Sequence, residues 1–175
     1  MNLPQMVVAS LNRTWMFLDK ALDGLTQEEI AWRPGTECNS IAFILWHLSR
    51  TEDIHIIRHL QGKTDIYEAE GWREKMGTPP NEDGWGYTLE QLEAWPVPEL
   101  EDLWGYANSV RQKTLTYLDS FPEEQLSETF GPYGPDRVYL SGGDILVDVL
   151  VETAMHIGQI FYLRGELRGL SYRLI

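Results

Sequence analysis

Cysteine is almost missing from this chain: Cys38 is the one thiol in 175 residues. A single cysteine excludes an internal disulfide and suits a reducing cytoplasm, the expected location. Positive charge is scarce too, with 14 Lys and Arg against 27 Asp and Glu and a net charge of −13. No basic cluster interrupts that balance. Nucleic acid and anionic membrane surfaces are therefore poor partners. No uninterrupted apolar run approaches the ~20 residues of a membrane span. The opening MNLPQMVVASLNRTW has no charged segment followed by a long apolar core, so no secretory signal is expected.

What is present is a globular composition. A hydrophobic share of 43% against 23% charged residues supports a buried core rather than disorder. The length suits one domain spanning residues 1–175. Apolar residues recur at three- and four-residue spacing in four long stretches. The first runs from Pro4 to Leu22 through Val7, Val8, Leu11, Trp15 and Leu18, and Gly24 closes it. The second runs from Ser40, a plausible N-cap, to Gln61, and its first half is apolar nearly all round. The third runs from Pro98 to Phe121 and ends at Pro122. The fourth spans Ser141 to Gly169, opening on Ser-Gly-Gly-Asp as a capping-box variant. Capping signals predict a short turn at Thr26 and a short helix from Thr88 through Trp95. With no convincing strand pair, and only a short extended piece around Arg137-Val-Tyr-Leu, the pattern predicts an all-α four-helix bundle.

Between the second and third helices, Gly62 to Pro98 is rich in Gly, Pro, Trp and acids. It is far longer than the ~2–8 residues of an ordinary bundle connection, as binding segments and lids often are. Trp72, Trp85, Tyr87 and Trp95 punctuate it. They either wall an apolar pocket or pin the loop to the bundle end.

The last helix carries the chemistry. Its inward stripe reads Ile145, Val149, Glu152, His156, Gln159, Leu163, apolar at both ends and polar in the middle. Buried without partners, such groups cost about 1–3 kcal/mol each. Glu152 and His156 stand at i, i+4 on one face, and His47 is the single ionisable residue in the apolar half of the second helix. Two imidazoles and a carboxylate suit iron(II), zinc, nickel or manganese. The alternatives are a hydrogen-bonded core histidine at His47 and an arginine partner for Glu152, with Arg50 the candidate. His55 and His59 form a second i, i+4 pair in the more polar half of the helix, and Cys38, just before a helix N-terminus, is a candidate thiol nucleophile.

The motif Asn39-Ser-Ile-Ala-Phe-Ile-Leu-Trp-His47-Leu-Ser-Arg-Thr-Glu-Asp53, followed by Glu152-Thr-Ala-Met-His156-Ile-Gly-Gln-Ile160, resembles the DinB/YfiT-like superfamily of metal-binding four-helix bundles. Gly71-Trp-Arg-Glu-Lys-Met-Gly77 through Gly86-Tyr-Thr is similar to the long connection of one branch. The resemblance implies an up-down-down-up bundle with a long crossover between the second and third helices. It implies a metal site of three histidines, onto which His47 and His156 map, while Glu152 stands where the family commonly has the third. A carboxylate there lowers the site charge by one and favours harder ions. The resemblance also implies homodimers and, for some members, S-transfer or isomerisation dependent on bacillithiol, mycothiol or glutathione. The expected protein is thus a divalent-metal-binding bundle. It acts on a small molecule as a thiol transferase, isomerase or hydrolase, or else serves as a non-enzymatic, stress-related binding bundle with or without metal. Trp72, Trp85 and Tyr87 are the expected pocket wall.

Overall fold

The computed structural model describes residues 2–133 and 138–169. Four long helices carry it. Helix α1 spans Leu3–Leu22, with Asn2 and Gln5 forming a capping box and Pro4 in its first turn. After the short α2 (Gln27–Ala31), capped by Thr26, helix α3 runs Ile41–Asp53 from its N-cap Ser40. Helix α7 spans Leu100–Asp119, and α8 spans Gly142–Arg168, capped by Ser141 and Asp144. The long connection holds three short helices, α4 (Ile66–Ala69), α5 (Trp72–Met76) and α6 (Leu89–Ala94). Helix α1 packs on α7 and α8, and α3 packs on the same two. The apolar stripes read from the sequence meet there: Val7, Leu11 and Leu18 from α1, Ile44, Leu45 and Leu48 from α3, Leu103, Ala107 and Val110 from α7, and Ile145, Leu146 and Val149 from α8 are all buried.

Three features differ from the sequence expectation. The second long helix does not stay α-helical. Residues Ile54–Leu60 continue α3 as a wider π-helical turn. Ile54, Ile56 and Ile57 are β-branched and crowd the preceding turn of an α-helix, and a wider turn spreads them. Second, the fold is mainly but not purely helical. Strands β1 (Thr129–Tyr133) and β2 (Val138–Ser141) pair antiparallel, with Thr129 opposite Ser141 and Phe130 opposite Leu140. The extended piece expected near this point is β2, while Arg137 lies outside the described residues. Third, α8 is by length and composition apolar enough to cross a membrane, which its interrupted apolar pattern had concealed.

Two buried ionic networks tie the helices together. Arg111 of α7 makes a bidentate pair with Glu52 of α3 at 2.9 and 2.6 Å and donates to the Leu11 carbonyl of α1 at 2.8 Å. Its guanidinium lies 4.3 Å from the centre of the Trp15 ring. Arg50 of α3 donates to Asp53, Asp65 and Tyr106 at 3.1–3.3 Å. Asp53 in turn accepts from the backbone N–H groups of Ile66 and Tyr67 at 2.9 Å, which fastens α4 to α3. These pairs are fully desolvated, so removing one partner leaves an uncompensated charge. Arg111→Leu should therefore lower the unfolding free energy by about 3–5 kcal/mol in urea denaturation. A loss below about 1 kcal/mol would show that Glu52 finds another partner.

Candidate metal centre

Helices α3 and α8 lie side by side and bring His47, Glu152 and His156 together. One nitrogen or oxygen from each falls within 4.8 Å of the other two. The apolar ends of the α8 stripe, Ile145, Val149 and Leu163, are buried. Glu152 and His156 in its middle are only partly covered, and Glu152 borders a cleft.

The hydrogen bonds fix which ring nitrogens point inward. His47 Nδ1 lies 2.5 Å from the Asp83 carbonyl oxygen, and His156 Nδ1 lies 2.8 Å from Gln159 Oε1. Both partners are acceptors, so the Asp83 carbonyl holds the proton on His47 Nδ1 and leaves a lone pair on its Nε2, and His156 in its Nδ1–H form does the same. Those two Nε2 atoms face the same carboxylate oxygen, Glu152 Oε2, at 3.8 Å from His47 and 3.0 Å from His156. The rings stand nearly perpendicular, with centroids 4.7 Å apart. Three electron-rich atoms thus converge on one point. A proton on His156 satisfies one of these contacts, whereas a divalent cation satisfies all three. The donor set therefore fits a metal ion, with His47, Glu152 and His156 as the residues that would hold it.

The alternative of an arginine partner for Glu152 is not met among the described residues. Arg50 turns away to Asp53, Asp65 and Tyr106, and Glu152 meets the two histidines instead. A buried pair of acids attracts the guanidinium more strongly than one carboxylate at a cleft edge.

The cleft measures about 530 Å³ and is lined by His47, Glu152, Thr51, Ile54, His55, His59, Asp83, Trp85, Leu140 and Asp148. Its wall includes part of the π-helical turn, which carries His55 and His59, and the hairpin contributes Leu140. The second histidine pair is thus part of the same cleft as His47. His55 Nδ1 bonds the Thr51 carbonyl at 2.7 Å. Of the three expected wall residues, Trp85 lines this cleft and is 75% exposed. Trp72 packs on α7 against Tyr106, with ring centroids 6.1 Å apart. Tyr87 packs on Phe43 at 5.7 Å and lines a separate groove. Trp95 is buried against Phe43 and Trp46. These three pin the connection to the helices. Cys38 is exposed and borders a different, apolar groove with Met155, Gly158 and Gln159.

Sequence reading did not find the Asp83 carbonyl, Asp148, Leu140 or the role of Gln159. A backbone carbonyl in a loop leaves no mark in residue identity. Gln159, three residues after His156 on the same helix face, was visible only as part of the polar stripe.

A family model described as the DinB superfamily matches residues 10–160. The crystal structure of a conserved protein of Enterococcus faecalis is similar in fold, with a TM-score of 0.82 and 26% identity over 94% of this chain and 96% of that one. No curated protein matches the chain.

Burial pushes the His47 imidazole below its ordinary value of 6.5, against the opposing hydrogen bond that His47 donates to the Asp83 carbonyl, and the neighbouring His156 adds to the lowering. Burial and the charges of His55 and Arg58 push His59 down to about 4. The folded chain therefore binds fewer protons at these sites than the unfolded chain, and stability should fall as the pH drops below 6.5. Nitrogen-detected NMR titration should place His47 below 6.5 and His59 near 4. A His47 transition above 6.5 would contradict the assigned burial.

Proposed function

The chain belongs to the DinB superfamily, and from that premise we propose that it binds one divalent metal ion through His47, Glu152 and His156 and uses it on a small molecule. The observation that carries this reading is the convergence of two histidine lone pairs and a carboxylate within 4.8 Å, with both outer ring nitrogens already hydrogen-bonded. Such outer bonds orient ligating histidines and raise their basicity. The helices form the family's up-down-down-up bundle, with residues 62–98 crossing between its second and third members.

When bound, the ion supplies Lewis acidity that lowers the pKa of a thiol or of water and readies it to attack an electrophile. The chain's own groups do the rest. Glu152 reduces the net positive charge of the site and biases it toward iron, manganese or zinc over softer ions. Ile54, Leu140 and Trp85 offer apolar surface against which a small substrate loses water. Asp148, whose carboxyl burial pushes up while His55 opposes the rise, provides a proton-exchanging group within the cleft. The reaction class is thiol transfer, isomerisation or hydrolysis, with a low-molecular-weight thiol as the natural co-substrate in a reducing cytoplasm.

Two tests follow. Element analysis of protein purified without a histidine tag should find about one divalent ion per chain. His156→Ala and His47→Ala should each weaken zinc or iron(II) binding by at least ~10-fold in calorimetry. Metal that stays sub-stoichiometric on reconstitution, or is unchanged in both variants, would refute the reading.

The second test concerns self-association. Val147, Val151, Met155 and Tyr162 form an exposed apolar strip along α8. On a chain of net charge −13, identical copies repel except where the contact is uncharged, so this strip is the surface we assign to a homodimer. Light scattering should give twice the 20.2 kDa chain mass, and Met155→Glu should return the monomer. A monomeric wild-type chain at micromolar concentration would exclude the dimer.

A further inference from the structure

Residues Glu82, Asp83 and Gly84 run antiparallel along one face of α3, and each meets it at one point. The Glu82 carbonyl accepts from Arg50 Nε at 3.0 Å. The Asp83 carbonyl accepts from His47 Nδ1 at 2.5 Å. Gly84 lies against Phe43 and Trp46. A Cβ there would come 2.6 Å from Phe43 Cζ and 2.9 Å from Trp46 Cζ3, and its φ of +87° disfavours any side chain. The contact points on α3, at residues 43, 46–47 and 50, follow the helical repeat.

Each end of this run is held by something rigid. Arg50 is 0% exposed and is itself fixed by Asp53, Asp65 and Tyr106. Phe43 and Trp46 are buried and packed on Trp95. Between the anchors, the Trp85 N–H donates to Asp83 Oδ1 at 2.8 Å, which fixes the turn that carries the Asp83 carbonyl. The His47 ring is stacked parallel to Phe43, 2° apart in plane. A backbone carbonyl accepts but never donates, so the clamped peptide dictates the Nδ1–H form of His47 and leaves Nε2 facing Glu152.

Resting on the metal reading above, we propose that the 82–84 segment is a latch for His47, with Arg50 and Gly84 as positioning residues. The latch selects the ring tautomer and orientation that metal binding requires. Gly84 is the most sensitive point, because the smallest added side chain must lift the segment off Phe43 and Trp46 and draw the Asp83 carbonyl from His47. Trp85, which lines the cleft, moves with it. Metal binding and loop position are then linked, so that each strengthens the other.

The test compares wild type with Gly84→Ala and Asp83→Ala at pH 7.5 using two readouts. Nitrogen NMR of the histidine side chains reports the His47 tautomer without metal, and zinc titration reports affinity. Wild type should show His47 wholly as the Nδ1–H form. Gly84→Ala should show a mixture of tautomers and bind zinc about 10–100-fold more weakly, while melting cooperatively. Asp83→Ala, at a half-buried loop position, should shift both readouts in the same direction and decides the matter if Gly84→Ala does not fold. Unchanged tautomer and unchanged affinity in the folded variants would overturn the latch. If wild type binds no zinc, the tautomer alone decides. A fixed Nδ1–H form that the variants loosen then supports the latch while the missing zinc excludes zinc as the ion of the metal reading, and a form the variants leave unchanged overturns the latch.

Discussion

Two imidazole lone pairs and a carboxylate pressed toward one point are electrostatically unfavourable unless a positive charge lies among them. The rest of this structure is arranged so that they cannot move apart. Helix α3 supplies one donor and α8 two, and both helices are clamped on their buried sides by Ile44, Leu48, Ile145 and Val149. The outer nitrogen of each imidazole is held, one by a loop carbonyl and the other by Gln159. Neither ring can turn to relieve the crowding without breaking a hydrogen bond. Burial lowers the proton affinity of His47, so its Nε2 lone pair stays open toward Glu152.

Charges buried elsewhere serve a different purpose. Glu52 with Arg111, and Arg50 with Asp53 and Asp65, are matched pairs whose members satisfy one another, and they join α3 to α7 and to the start of the long connection. Glu152 differs because its neighbours are titratable imidazoles rather than a permanent cation. That contrast separates the structural ion pairs from the candidate site on the same helices. It also explains why Arg50, one helical turn after His47, contributes indirectly: it holds the Glu82 carbonyl and thereby the loop that contacts His47.

Much of the fold was legible in residue order. Apolar periodicity located the four long helices, Ser40, Thr88 and Ser141 marked helix starts that the structure places within a residue, and the turn read at Thr26 is the short helix α2. The polar interruption of the α8 stripe, with His47 in an apolar run, singled out the three residues that the fold brings together. The π-helical turn was not legible, because β-branched crowding shifts hydrogen bonds without changing the apolar period. The hairpin was missed because Thr129-Phe-Gly-Pro-Tyr contains a glycine and a proline, which argue against a strand. The partners of Arg50 were not legible, because sequence distance says nothing of which acid is better buried. The loop aromatics could be assigned only once Gly84 was seen seated on Phe43 and Trp46, which turns Trp85 to the cleft and leaves Tyr87 to pack behind it.

The most direct test of the central claim is an anomalous difference map from crystals of the untagged protein grown with zinc. The account predicts a single strong peak about 2.0–2.2 Å from the Nε2 atoms of His47 and His156 and from a carboxylate oxygen of Glu152. A map with no peak among these residues, or one in which Glu152 and His156 remain hydrogen-bonded to each other while zinc binds elsewhere, would contradict it.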